Sequence, residues 1–139
     1  MLDVREIFQE GETLEANRTV QVDDTVGNFS VHLNQLLSTT ACIERMVRMS
    51  TEMVEGRLPE GFITVGLSYS VRHDETAMLG TGLSYLLKLE QIKGNRLVFS
   101  MKVTDSIGEV FHATCERAIV NRYELIDSAT ERAKKARES

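Results

Sequence analysis

The sequence predicts an α+β fold in which one antiparallel sheet wraps around a single long helix, and three observations predict it. The only long run of helical period in the middle of the chain is Ser38 to Val54. Four runs that alternate apolar and polar residues follow it with little between them, and one more precedes it. Two of the later connections are short turns, which force an antiparallel meander. The competing layout is a split α+β sandwich with the helix lying on an open sheet face.

Each element can be justified in order. Asp3 to Glu10 carries Val4, Ile7 and Phe8 at i, i+3 and i+4, a short helical lead-in that Gly11 ends. From Glu12 to Val22 the pattern alternates, with Leu14, Ala16, Val20 and Val22 on one parity. Arg18 breaks that parity, so an edge or a local bulge is expected there. Asp23 to Gln35 mixes turn formers with apolar Val26, Phe29, Val31 and Leu33. Such a segment either packs over the end of the core or forms a lid over a pocket just before the helix.

The helix itself is legible at both ends. Ser38, Thr39 and Thr40 offer hydroxyls to its first free N–H groups, and Gly56 closes the run. At 100° per residue, Thr39, Cys42, Ile43, Met46, Met49, Ser50, Met53 and Val54 fall on one arc, and Glu44, Arg45, Arg48 and Glu52 on the other. After the connection Gly56 to Gly61, Phe62 to His73 sets Ile63, Val65, Leu67, Tyr69 and Val71 on one parity. Thr81 to Ile92 does the same with Leu83, Tyr85, Leu87 and Leu89. Lys93-Gly94-Asn95 turns into Arg96 to Thr104, and Asp105 to Gly108 turns again into Glu109 to Val120. Asn121 to Ser139 is helical in composition, with a narrow stripe of Leu125, Ala129, Ala133 and Ala136, and is expected to dock weakly. A meander of long strands around one buried helix is a hot-dog fold. Its edge strands want partners, and a two-fold homodimer joining two sheets is the usual solution.

The totals narrow the function. At 139 residues the chain is expected to form one domain over 1–139, with 42% hydrophobic and 27% charged residues, typical of globular proteins. No apolar run approaches the roughly 18 residues that cross a bilayer, and Met1 to Glu6 does not read as a targeting segment, so no membrane and a cytoplasmic location are the expectation. The net charge of −5 argues against nucleic acid, and the basic residues Arg132, Lys134, Lys135 and Arg137 alternate with acids as a solvated helix face. Cys42 and Cys115 sit in apolar patterns and read as reduced core thiols. No phosphate-binding loop, serine elbow or zinc spacing is present, and His32, His73 and His112 lie some forty residues apart, so neither a metal nor a cofactor is expected.

What remains is a few polar residues in telling places. The N-terminus of the central helix presents unpaired N–H groups and its positive dipole end, suited to a carbonyl oxygen becoming an oxyanion. Thr39 lies in that first turn, either as a cap or as part of a site. His73 ends a strand at the covered parity, where neutral imidazole could position a thioester or a water, or simply bond to the chain. Arg117 shares the parity of Phe111, Ala113, Cys115 and Ile119, so its guanidinium needs a carboxylate, a carbonyl or a ligand.

Several segments together resemble the fluoroacetyl-CoA thioesterase-like branch of hot-dog thioesterases. They are Val4-Arg5-Glu6-Ile7-Phe8-Gln9-Glu10-Gly11, the helix opening Leu37-Ser38-Thr39-Thr40-Ala41, Met46, Thr64-Val65-Gly66 to Val71-Arg72-His73, and Cys115-Glu116-Arg117-Ala118-Ile119-Val120. The resemblance implies that Thr39 and His73 occupy catalytic positions, that Gly66 lets the acyl group approach the backbone, and that Arg117 supports the site. Such enzymes carry a glutamate eight residues after the threonine, where this chain has Val47. Either Glu44, about 60° away and one turn earlier, reaches in, or His73 with Thr39 directs water alone, or hydrolysis has been lost.

The expected function is hydrolysis of a small acyl-CoA or related thioester, with Thr39, His73 and Glu44 as catalytic candidates and Gly66, Arg117, Val47 and Phe29 as substrate contacts. The alternative is a non-hydrolytic acyl-thioester binding protein, motivated by Val47. Hydratase chemistry is a third reading, weakened because no acid is suitably paired with a histidine near the helix.

Overall fold

The computed structural model describes residues 2–138. A short helix α1 (Val4–Ile7) leads into strand β1 (Thr13–Thr19), and three 3-10 turns span Val22–Leu33. Helix α2 (Thr39–Val54) follows, then strands β2 (Phe62–His73), β3 (Gly82–Lys93), β4 (Arg96–Thr104) and β5 (Glu109–Asn121), and helix α3 (Arg122–Glu138). The five strands form one antiparallel sheet in the order β1-β3-β4-β5-β2, so β1 and β2 are its edges. This is the hot-dog architecture the element order predicts.

The buried arc of α2 carries Cys42, Met46, Met49, Ser50, Met53 and Val54, as the helical period requires. It packs in one cluster with Tyr85, Leu87 and Leu89 of β3, Leu97, Phe99 and Met101 of β4, and Phe111, Ala113 and Cys115 of β5. The meander closes through the Lys93↔Arg96 pair, where Gly94 adopts φ +62° as its two-residue loop demands.

Two expectations are corrected. The covered parity of β2 inverts along its length: a bulge between Gly66 and Ser68 leaves Leu67 unpaired, so Phe62 and Thr64 face inward before it and Tyr69, Val71 and His73 after it. Ile63 and Leu67 are therefore exposed rather than covered. Val22 also leaves the covered face, because the chain turns off the sheet after Val20 into the first 3-10 turn. Helix α3 docks as weakly as expected: Leu125 is half-buried and Arg122 and Tyr123 bond to Glu60 at 3.0 Å, but no described residue of the helix is fully buried, and Ser139, where the sequence expectation ends it, lies outside the described residues.

Arg18 explains its own misfit. It lies on β1 without a bulge, and its Nε donates to both carboxylate oxygens of buried Asp24 at 3.2 and 3.0 Å. Asp24 also accepts from the Gln21 N–H at 2.9 Å, so one ion pair ties the turn segment to the edge strand.

Candidate functional site

The N-terminus of α2 meets the end of β2. Ser38 is the helix cap, its hydroxyl accepting from the Ala41 N–H at 3.0 Å. That leaves the Thr39 side chain free of the capping role. Its Oγ1 lies 2.8 Å from Nδ1 of His73, which is 34 residues away in sequence. Helix geometry gives the Thr39 and Thr40 N–H groups no acceptor within the helix, and they share this corner with the positive end of the dipole.

His73 is half-buried and held edge-on against Phe111, with ring centroids 5.8 Å apart. Burial pushes its pKa below the ordinary value, outweighing the opposing pull of the Glu75 backbone and the Asp74 charge. Its Nε2 is buried and has no hydrogen-bond partner among the described residues. A neutral imidazole anchored through one nitrogen, with the other unclaimed, can accept a proton or meet a ligand.

The loop that leads into α2 is tight against it. A Cβ on Gly27 would come within 2.8 Å of both Ser38 Oγ and Thr40 Cβ, so only glycine lets the segment lie across the helix start. Phe29, two residues on, is 92% exposed and adopts left-handed φ 51°. It does not pack over the core; its ring stands in the open beside exposed Val26 and Val31.

The other named residues lie elsewhere in the protomer. Glu44 is on the wet face of α2, where its carboxylate takes two bonds from Arg48 at 2.9 and 3.2 Å. Val47 is 37% exposed, eight residues and hence about 12 Å along the helix from Thr39. Arg117 pairs across the sheet with Gly66, while His73 pairs with Phe111, so six strand residues, about 20 Å, separate the two positions.

Arg117 is only 5% exposed, and its hydrogen bonds go to neutral groups. Nε donates to Thr64 Oγ1 at 3.2 Å, one terminal nitrogen to Tyr69 Oη at 3.1 Å, and the other to the Thr64 carbonyl at 3.2 Å. Gly66 makes this possible: a Cβ there would lie 3.0 Å from Tyr69 Oη and 3.1 Å from its ring. Thr64 and Tyr69 escape a strict-alternation reading because the bulge puts an even and an odd residue on one face. The available signal was Gly66 itself, since an isolated glycine within a strand pattern marks a bulge. Among the described residues, no three of His, Cys, Asp and Glu converge as a metal set.

The family model described as fluoroacetyl-CoA-specific thioesterase matches residues 20–123. A hot-dog-like protein from Thermanaerovibrio acidaminovorans is 34% identical, with TM-score 0.90, covering 94% of this chain and 97% of its own. A thioesterase superfamily member from Thermus thermophilus is 20% identical, with TM-score 0.79 and coverage of 94% and 96%. A fluoroacetyl-CoA thioesterase is 18% identical, with TM-score 0.76 and coverage of 89% and 96%. Among curated proteins none matches. No helix among the described residues is long and apolar enough to cross a membrane.

Proposed function

The chain belongs to the fluoroacetyl-CoA-specific thioesterase family, and from that premise we propose that it hydrolyses small acyl-CoA thioesters at the N-terminus of α2. The observation that carries the reading is the 2.8 Å contact between Thr39 and His73 at a helix start. The thioester carbonyl oxygen takes the first-turn N–H groups, where the dipole favours the negative charge of the tetrahedral intermediate. His73, protonated at Nδ1 and donating to Thr39 Oγ1, turns an Nε2 lone pair toward water. Water adds to the carbonyl carbon as Nε2 takes its proton, then the C–S bond breaks and that proton leaves with the thiol. The products are a carboxylic acid and free CoA.

The site is completed by a second copy. Strand β2 is a twelve-residue edge with exposed Ile63 and Leu67, an open edge that invites pairing. A two-fold pairing of β2 with itself, centred between Tyr69 and Ser70, lays Gly66 of the partner subunit opposite His73. Arg117 of the partner subunit, paired with that Gly66, is then carried toward the Thr39 corner, from which it is distant in its own protomer. Phe29 stands at the mouth as a substrate contact.

Turnover of a short acyl-CoA panel tests the reading. Thr39→Ala and His73→Ala each lower kcat/KM on the order of 10²-fold or more. Equal rates in wild type and both variants remove these residues from the mechanism.

A second reading has its own support: Val47 stands at the expected acid position and Glu44 is engaged by Arg48, which favours binding without hydrolysis. Calorimetry with acyl-CoA separates the two, since tight binding without thiol release selects the binder. Val47→Glu raises hydrolysis if only the acid is wanting.

A further inference from the structure

Arg117 is the one buried cation among the described residues. Of its five N–H donors, three are taken by Thr64 and Tyr69. The other two, one on each terminal nitrogen, have no acceptor among the described residues. No Asp or Glu there forms an ion pair with it, and neighbouring Glu116 pairs instead with Arg96 at 3.1 Å. A buried charge without a counter-ion is costly, and a planar fork with one open donor on each tip matches a carboxylate in geometry as well as charge.

Of the other residues proposed for the shared cleft, only Glu44 carries a carboxylate. Val47 is aliphatic, and Glu44 faces solvent in its bond to Arg48. Thr39 and half-buried His73 are neutral polar groups. Asp74, whose charge reaches His73, is paired with Arg72 at 3.0 and 3.2 Å, so the buried guanidinium is the charge left without a counter-ion, and it selects an anion.

Resting on the thioester reading above, we propose that the preferred substrate is the CoA thioester of a short dicarboxylic acid, its free carboxylate seated on Arg117 while the thioester lies against the Thr39 helix. Tyr69 and Thr64 are positioning residues: they hold the guanidinium plane so that its open edge faces the acyl chain.

Matched pairs of thioesters test this. Succinyl-CoA against butyryl-CoA, and glutaryl-CoA against pentanoyl-CoA, differ by a carboxylate in place of a methyl group. In the wild-type protein the carboxylated member of at least one pair shows a kcat/KM, or for a non-hydrolytic protein an affinity, at least tenfold higher. In Arg117→Gln that ratio falls to near one, and in Arg117→Lys, which keeps the charge but not the fork, it lies between. Should Arg117→Gln not fold, Arg117→Lys and the wild-type response to free acid decide: succinate or glutarate raises the melting temperature of wild type where butyrate and pentanoate do not. A wild-type ratio at or below one in both pairs, or a ratio that survives both substitutions, overturns the proposal while leaving thioester chemistry intact. Absence of binding and turnover with all four thioesters removes the thioester reading, and this proposal with it.

Discussion

Arg18 and Arg117 sit on covered strand positions that an apolar side chain would suit, yet the molecule treats them in opposite ways. Arg18 meets a carboxylate, its Nε shared between both Asp24 oxygens, and that carboxylate is further held by a backbone N–H. Arg117 is more deeply buried and receives a hydroxyl, a phenol and a carbonyl. The first guanidinium is electrically finished within the chain. The second keeps both its charge and part of its donor fork unspent, the difference expected between a brace and a receptor.

Stability measurements can break this comparison, and the largest effect belongs to the closed pair. Arg18→Met strands the Asp24 carboxylate in a buried setting and should cost about 3 kcal/mol in urea unfolding. Asp24→Ala should cost about 2 kcal/mol, less because Asp23 remains 3.3 Å from Arg18. Arg117→Met leaves no buried carboxylate behind and should change stability by less than about 1 kcal/mol. If Arg117→Met proves as damaging as Arg18→Met, the distinction between brace and receptor collapses. Glu44→Ala, which breaks an exposed helix pair, should stay within about 0.5 kcal/mol and serves as the floor.

Acidity sharpens the contrast from another side. Burial lowers the His73 pKa, so as pH falls the unfolded chain takes up that proton before the folded one does. The stability His73 contributes is therefore intact above its ordinary value, near ~6.5, and is withdrawn as pH falls through that value toward the lower folded one. The acid limb of the rate profile should lie below ~6.5 for the same reason. His73→Gln should erase the stability slope in this window, and an unchanged slope would assign it to another group.

Much of the fold was legible because period and punctuation agree. Ser38 to Val54 has helical spacing and an N-cap hydroxyl, and Gly94 supplies the positive φ that joins β3 to β4. The pairing of Thr39 with His73 was readable only as two separate oddities, a hydroxyl at a helix start and an imidazole at a strand end. Arg18 and Arg117 likewise announced themselves as parity violations. Nothing local names the partner, because Asp24 lies beyond the turn out of β1 and Tyr69 beyond a bulge. Alternation records which side a residue faces, whereas contacts depend on where the chain loses count. Helix α3 shows the converse limit: its composition is helical and its stripe apolar, yet the fold half-covers only Leu125 of that stripe.

The extra residue at Leu67 carries a consequence for the whole far end of β2. It acts as a half-turn in a twisted ribbon, so everything beyond it is oriented by a single unpaired position. Pairing Leu67 into an unbroken ladder, rather than bulging it out, would leave each later side chain with its identity and its order, but flipped to the opposite surface. The imidazole would then look outward to bulk water, and the hydroxyl at the mouth of the helix would face an arginine-bearing surface instead. The reactive corner is thus set as much by an odd number as by any functional group.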